Sequence, residues 1–304
     1  MILHRHDRIR EAPALAHEQI QVAEIGVDLW PCDGQRRAFQ LPASYARFAG
    51  ACDPDLSLGY CYGTIPGHLL SGEAVFDEGW LWSLHRHPHG LVWRQMSASA
   101  AADLQRVAVL EPDLTGGVVY VVPSEREDGL LEYPIHHPLD KFLFNTLLAQ
   151  GRGLTLHACG VIDRGQGLLF VGESGAGKST MAELWHGRPE VTVLSDERTI
   201  VRPWSQGWRI YGTPWYGTAG HFSSASAPLG AILFLQQGGS NRLAEVQPAE
   251  AVHRLLGCGY LPLWDRAGIE FALQCLDQVA QAVPCYELTF KAEGSVVDFV
   301  RRLW

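Results

Sequence analysis

The stretch GESGAGKST, residues 172–180, decides the fold of the surrounding chain. It matches the pattern G-x-x-x-x-G-K-[ST], in which backbone N–H groups of a glycine-rich turn point toward phosphate oxygens. The apolar run LLFV at 168–171 precedes it and predicts a buried strand, and MAELW at 181–185 continues it as a helix. A strand, a loop and a helix in this order are the context that the motif requires.

Each residue type in this stretch has an expected task. Lys178 is expected to reach the outer phosphates of a nucleotide, and Ser179 to place its hydroxyl on Mg²⁺. The chain holds only three lysines, so a chance match is rare, and a glycine-rich turn without a ligand is the disfavoured alternative. The predicted nucleotide-binding residues are Gly172, Glu173, Ser174, Gly175, Ala176, Gly177, Lys178, Ser179 and Thr180.

Composition restricts the class of protein. The 304 residues carry 24 basic and 33 acidic side chains, for a formal net charge of −9, which argues against nucleic-acid binding. Seven cysteines without a C-x-x-C pair are typical of reduced thiols in the cytoplasm. No apolar segment predicts a signal peptide or a membrane span. We therefore expect a cytoplasmic protein without membrane contact, and a homo-oligomer stays open.

Two domains are predicted, with a boundary near residue 135. Residues 1–20 are polar and predict a tail. Short β-like segments then lie between turn residues, at 21–25, 74–76, 80–84, 91–95 and 118–122, whereas 97–110 fits a strand or a helix. Residues 1–135 are assigned to a smaller β-rich N-terminal domain that handles a substrate or partner. Residues 136–304 are assigned to the nucleotide-binding domain.

Strand and helix patterns alternate after residue 135. Apolar spacing predicts a helix over 139–150, which Gly151 and Gly153 end. The remaining predicted helices cover 248–256, 265–283 and 295–303, and the predicted strands cover 154–162, 168–171, 191–194, 199–202, 208–211, 231–235 and 285–290. This mixture predicts an α/β core.

Three side chains outside the glycine-rich stretch are candidates for chemistry. The strand at 191–194 runs into Asp196 and Glu197, and an acid at a strand end beside a phosphate loop can hold Mg²⁺ or accept a proton. An exposed acidic turn is the alternative. His157 lies in the strand ahead of the loop and could face the phosphates, although a lone histidine in an apolar strand is more often a core residue.

The histidines at 85–89 suggest a metal site, but a solvated turn is the preferred interpretation.

These residues together carry a resemblance. The segment LHACGVIDRGQGLLFVGESGAGKST at 156–180, followed by VLSDE at 193–197, resembles the catalytic domain of the HPr serine kinase/phosphorylase family. The resemblance implies a P-loop kinase core of the HPr kinase/phosphoenolpyruvate carboxykinase type, with ATP and Mg²⁺ as cofactors. It implies Asp196 as the catalytic carboxylate and His157 near the phosphates. It also implies metal contact through Ser179 and the acidic pair Asp196 and Glu197.

Arginines are the expected partners of the transferring phosphoryl charge. Arg198, Arg202 and Arg209 are the candidates, and Arg202 is preferred. The predicted catalytic set is therefore Asp196, His157, Lys178, Glu197 and Arg202.

Other segments limit the resemblance. Thr180 stands where HPr kinases usually carry Glu, and their E-x-R-G-x-G signature is not recognisable. The substrate HPr and any phosphorylase activity therefore lie outside what the resemblance implies. The SDE turn, GTPW at 212–215 and PLGAILFL at 228–235 are similar to HPr-kinase-like proteins of peptide natural-product clusters, including lasso-peptide kinases. That similarity implies phosphorylation of a precursor-peptide serine.

The preferred function is an ATP- and Mg²⁺-dependent kinase that transfers the γ-phosphoryl group to a serine hydroxyl of a peptide or protein. A small-molecule hydroxyl kinase and a non-catalytic nucleotide-binding regulatory module are the alternatives. A carboxykinase is disfavoured because its additional metal-binding Lys and His are not recognisable. The glycine-rich segment 212–221 could close over the acceptor, stack on the base, or serve only as a connector.

Overall fold

The computed structural model describes residues 17–32, 39–79, 81–88, 90–97, 104–123 and 130–303. Trp80, His89 and the predicted tail up to residue 16 lie outside these ranges. The fold is mixed α/β, with large sheets and few helices. The chain divides into two compact units, and the second contains Val22–Glu24, Ala43–Phe48 and Lys141–Trp304. In the described part of the chain, no helix combines the length and apolarity needed to cross a bilayer.

A single sheet dominates the first unit. Its strands are β1 (Glu18–Val22), β2 (Ile25–Pro31), β3 (Leu56–Tyr62), β4 (Glu73–Asp77), β5 (Trp82–His87), β6 (Gly90–Met96), β7 (Leu104–Leu110) and β8 (Gly116–Val121). Their order is β1-β2-β3-β8-β7-β6-β5-β4. β2, β3 and β8 are parallel, and β4 to β8 form an antiparallel meander. The predicted β-rich character of this region is confirmed.

For residues 1–135, the structure differs from the predictions at two places. The single strand predicted over 21–25 is wrong, because Ala23 and Glu24 adopt φ values of 50° and 61° and turn the chain between β1 and β2. Two left-handed residues are what a two-residue hairpin turn requires, but such turns usually contain Gly, Asn or Asp. β3 was not predicted. The ambiguous segment 97–110 contains strand β7.

The second unit combines nine strands with five helices among its described residues. The strands are β9 (Leu154–Leu156), β10 (Ala158–Asp163), β11 (Gln166–Val171), β12 (Val191–Ser195), β13 (Thr199–Trp204), β14 (Gly207–Tyr211), β15 (Ser226–Gln237), β16 (Arg242–Glu245) and β17 (Cys285–Phe290). The helices are α1 (Leu139–Leu148), α2 (Lys178–Trp185), α3 (Pro248–Leu256), α4 (Arg266–Ala282) and α5 (Ser295–Val300). The strand order is β12-β10-β11-β15-β14-β13-β9, and β17 pairs with β15 and β16.

The apolar run in β11 explains how helices cover both faces of this sheet. Side chains alternate along a strand, so neighbouring residues of LLFV point to opposite faces. Leu169 and Val171 pack in a cluster with α4, whereas Leu168 and Phe170 pack in a cluster with α2 and α5. A strand that is covered on both faces requires such an unbroken apolar run.

The strand predicted over 154–162 is wrong as a single element. It is interrupted at His157, since β9 pairs with β13 whereas β10 pairs with β11 and β12. β10 and β11 form an antiparallel hairpin, with its turn at Arg164 and Gly165.

A buried ion pair ties the C-terminus to the sheet. Asp163, at the end of β10, is fully buried and accepts hydrogen bonds of 3.1 and 2.8 Å from Arg301. We expect Arg301→Met to lower the free energy of unfolding by about 3 kcal/mol, because it leaves a buried carboxylate without a charged partner. Urea denaturation measures the change.

Arg302→Met is the matched control, because Arg302 is exposed. Its effect should stay within about 0.5 kcal/mol. Equal stabilities of the two variants would show that the Arg301 pair contributes nothing.

Candidate active site

Strand register brings the candidate residues to one edge of the second sheet. β11 and β12 are both antiparallel to β10, so the two strands run in the same direction and their C-terminal ends meet. Ala158 lies opposite Val171, and Gly160 lies opposite Ser195. His157, the glycine-rich loop (residues 172–177) and the acidic pair therefore converge at this edge.

The lysine of the glycine-rich loop folds back over the loop itself. Its Nζ donates to the carbonyl oxygens of Gly172 and Glu173, at 2.7 and 3.1 Å. Gly175 and Gly177 have φ values of 83° and 107°, which a side chain would strain. Burial lowers the pKa of Lys178. The loop thus presents backbone N–H groups at a helix N-terminus and one desolvated cation, a combination that suits an anion.

His157 occupies the break between β9 and β10. Its backbone N–H donates to the Cys258 carbonyl at 2.7 Å, and its ring Nε2 lies 3.4 Å from Glu197 Oε2. Burial lowers the pKa of His157, and the positive charges of Lys178 and Arg198 act in the same direction. The Glu197 carboxylate opposes them. The neutral form of the His157 imidazole is therefore favoured.

The two acids of the predicted pair have different surroundings. Asp196 is only 1% exposed, and its two carboxylate oxygens accept hydrogen bonds of 2.9 and 2.8 Å from the N–H groups of Gly217 and Ala219. The Glu197 side chain is 32% exposed and faces His157. Glu197 can therefore reach an incoming group, whereas Asp196 is engaged by the chain that follows β14.

That chain, the β14–β15 loop (residues 212–225), is fixed along the site. Ser195 Oγ donates to the Trp215 carbonyl at 3.0 Å, and Trp215 Nε1 donates to the Tyr45 hydroxyl at 3.0 Å. Thr218 Oγ1 lies 3.5 Å from Ser179 Oγ. The sequence left the role of this loop open, and the structure places it beside both Asp196 and Ser179.

Two cavities flank the glycine-rich loop. One measures about 700 Å³ and is lined by predicted residues together with Tyr216, Gly217, Thr218 and Gln237. The predicted residues that line it are His157, Ser174, Gly175, Gly177, Lys178, Ser179, Thr180, Asp196 and Glu197. The other measures about 870 Å³ and lies between Gly172, Glu173 and Ala176 of the loop, the end of β15 and the end of α3.

The structure does not bring Arg202 to either cavity. Its Nε donates to the Arg152 carbonyl at 3.0 Å, and its Nη1 donates to the Ala23 carbonyl. Arg209 donates to Ser226 Oγ at 3.0 Å. Arg198 is the candidate beside His157, where its guanidinium lies 4.3 Å from the ring centre of Tyr260. A role for Arg202 in phosphoryl transfer stays a prediction without geometric support.

Sequence reasoning missed several residues of the site. Gln237 Nε2 donates to the Gly175 carbonyl at 2.9 Å, and Cys258 lines the larger cavity. Burial raises the pKa of the Cys258 thiol and of the Tyr260 phenol. Residues 257–260 belong to none of the predicted elements, and no local pattern in the sequence marks them as part of the site.

Oxygen ligands for a hard cation are present. Ser179, Asp196 and Glu197 offer one hydroxyl and two carboxylates, which suit Mg²⁺. Within the described ranges, no group of three or more His, Cys, Asp or Glu residues is placed to hold a metal ion. His85, from the histidine segment 85–89 that suggested a metal site, lies in β5, and its ring forms a hydrogen bond of 2.9 Å with Ser83 Oγ.

Opposite changes in the pKa of His157 are expected from its two charged neighbours. Glu197→Gln should lower that pKa further, because it removes the carboxylate that stabilises the imidazolium. Arg198→Met should raise it, because it removes a repelling cation. NMR titration of the imidazole C–H signals measures both, and shifts of the same sign would contradict this geometry.

Comparisons with known proteins assign no family to the chain: no family model matches it, and no curated protein matches it. The basis for a function is therefore the set of residues around the two cavities. Its distinctive feature is a glycine-rich loop with a desolvated lysine beside a histidine and two unlike carboxylates.

Proposed function

We propose that this chain is an ATP- and Mg²⁺-dependent kinase that transfers the γ-phosphoryl group to a serine hydroxyl of a peptide or protein. The observation that carries the proposal is the shared cavity of about 700 Å³, which Lys178, His157 and Glu197 line together. A module that only binds nucleotide needs the loop and the lysine. It does not need a partly exposed carboxylate paired with an imidazole, so the pair favours a catalyst.

The two cavities suggest how the nucleotide lies. Ser174, Gly175 and Gln237 line both of them, so a single ligand can cross the loop at this point. The phosphate end belongs beside Lys178, which supplies the positive charge. The nucleoside belongs in the larger cavity, whose wall includes Phe234 and Leu256. A volume of about 870 Å³ falls in the range of ligand sites.

Phosphoryl transfer then needs few parts. A bond forms between the acceptor oxygen and the γ-phosphorus, and the bond to the β,γ-bridging oxygen breaks, so ADP leaves. The hydroxyl proton passes to the Glu197 carboxylate, which His157 holds in place. Lys178 and the loop N–H groups stabilise the charge that spreads over the phosphoryl oxygens.

In this proposal, Asp196 and Glu197 have different roles. Asp196, which the sequence predicted as the base, has both oxygens engaged, so we assign it to holding the β14–β15 loop against the cavity. Mg²⁺ neutralises phosphate charge when it is bound. Ser179 would hold it, together with waters and phosphate oxygens.

Substitution of each acid separately distinguishes the two assignments. Glu197→Gln should lower kcat about a thousandfold while ATP still binds, because the proton acceptor is lost. Asp196→Asn should lower kcat/KM roughly tenfold, because the amide accepts fewer hydrogen bonds from the loop. Assays with labelled ATP and candidate peptides measure kcat and KM for both variants, and calorimetry measures ATP binding.

If Asp196→Asn abolishes transfer and Glu197→Gln leaves it intact, the base is Asp196. If wild-type protein binds ATP but phosphorylates neither peptides nor small hydroxyl compounds, it is a binding module and the proposed function fails.

The position of the nucleoside has its own test. Leu256→Gln should weaken ATP binding about fivefold, because an apolar contact with the nucleoside is lost. Binding of inorganic tripolyphosphate should not change, since it lacks a nucleoside. Leu273→Gln is the matched control, because Leu273 is 42% exposed, Leu256 is 39% exposed, and Leu273 does not line the cavity. Equal losses for ATP and tripolyphosphate would contradict this placement.

A further inference from the structure

A row of three side chains leads outward from the smaller cavity. Tyr216 lines the cavity and is 50% exposed. Its ring stacks on Phe222, with 5.2 Å between centroids and 27° between planes. The Arg47 guanidinium lies 5.1 Å from the centre of the Phe222 ring on the same compact unit. We call these residues the Tyr216–Phe222–Arg47 row.

The row is held in place before any ligand arrives. The β14–β15 loop that carries its two aromatic residues is anchored to Asp196 through the N–H groups of Gly217 and Ala219. Trp215 of the same loop donates to the Tyr45 hydroxyl, two residues from Arg47. Surfaces that are rigid before binding lose little conformational entropy when a partner docks.

The residue types in the row suit a polypeptide. Tyrosine and arginine supply much of the binding energy at protein interfaces, and a half-exposed tyrosine offers a flat apolar face. In the described part of the chain, Arg47 contacts Phe222 and forms no ion pair. An exposed guanidinium without a carboxylate partner suits an acidic group.

The length of the row bears on the size of the acceptor. Contacts of 5.2 and 5.1 Å link its three members in succession. The row therefore spans at most about three residues of an extended chain. A small hydroxyl compound would occupy the cavity beside Tyr216 and leave Phe222 and Arg47 uncovered.

We propose that the Tyr216–Phe222–Arg47 row docks the segment of an extended polypeptide acceptor next to its serine, with an apolar or aromatic side chain on Tyr216 and an acidic side chain at Arg47. This inference rests on the proposed kinase function. It makes the acceptor a polypeptide, because docking along the row needs several residues on one side of the hydroxyl.

A serine-centred peptide library and labelled ATP test the proposal. Wild-type protein should prefer an apolar residue near the serine and an acidic residue further along the same side. Tyr216→Ala should remove the apolar preference and raise the KM of the best peptide about tenfold. Arg47→Glu should change the acidic preference to a basic one, which general damage to the fold would not do. Trp204→Leu is the control, because Trp204 is 40% exposed and does not line the cavity.

Three outcomes would overturn the proposal while the kinase function stands. They are equal rates on free serine and on the best peptide, unchanged preferences in both row variants, or a Tyr216→Ala variant whose KM rises for ATP instead of peptide. The last result would mean that the loop stacks on the nucleotide base. A wild-type protein that binds ATP but phosphorylates nothing would refute the kinase function itself, and this inference with it.

Discussion

The parallel pairing of β11 with β15 is the constraint on which the site depends. β11 is covered on both faces, so its position is fixed by packing against α4 on one side and α2 and α5 on the other. The glycine-rich loop starts where this strand ends, and Gln237 at the end of β15 donates to Gly175 within the loop. A loop between two rigid elements can hold its N–H groups in one arrangement without help from a ligand.

The same packing also affects the pKa values at the edge of the second sheet, where the candidate residues lie. Lys178 and His157 are both partly removed from water, and burial lowers the pKa of each. The chain as a whole carries a formal charge of −9, so the positive charge of Lys178 at the loop is opposite in sign to the net charge of the protein. An anion that reaches this edge is therefore attracted by Lys178 and the loop N–H groups.

The sequence predicted the parts of the second unit that local pattern controls. The glycine-rich loop, α3 and β17 lie where spacing and capping residues placed them, because each depends on neighbours within a few positions. The break at His157 could not be predicted in this way, since it depends on the Cys258 carbonyl about a hundred residues later. The different exposure of Asp196 and Glu197 has the same origin, because the N–H groups that occupy Asp196 come from Gly217 and Ala219.

Contacts between distant segments also make the β14–β15 loop more than a connector. The loop touches α2 through Thr218 beside Ser179 and through His221, whose Nε2 lies 3.3 Å from Glu183. A Cβ atom at Gly217 would lie 2.9 Å from Asp196 Oδ2, so even the backbone of the loop fits closely against the acid. The loop therefore contacts Ser179, whose hydroxyl suits Mg²⁺, and the buried carboxylate of Asp196. It also forms part of the wall of the smaller cavity. Any movement of the loop must change all three together, because their contacts are made by residues only a few positions apart.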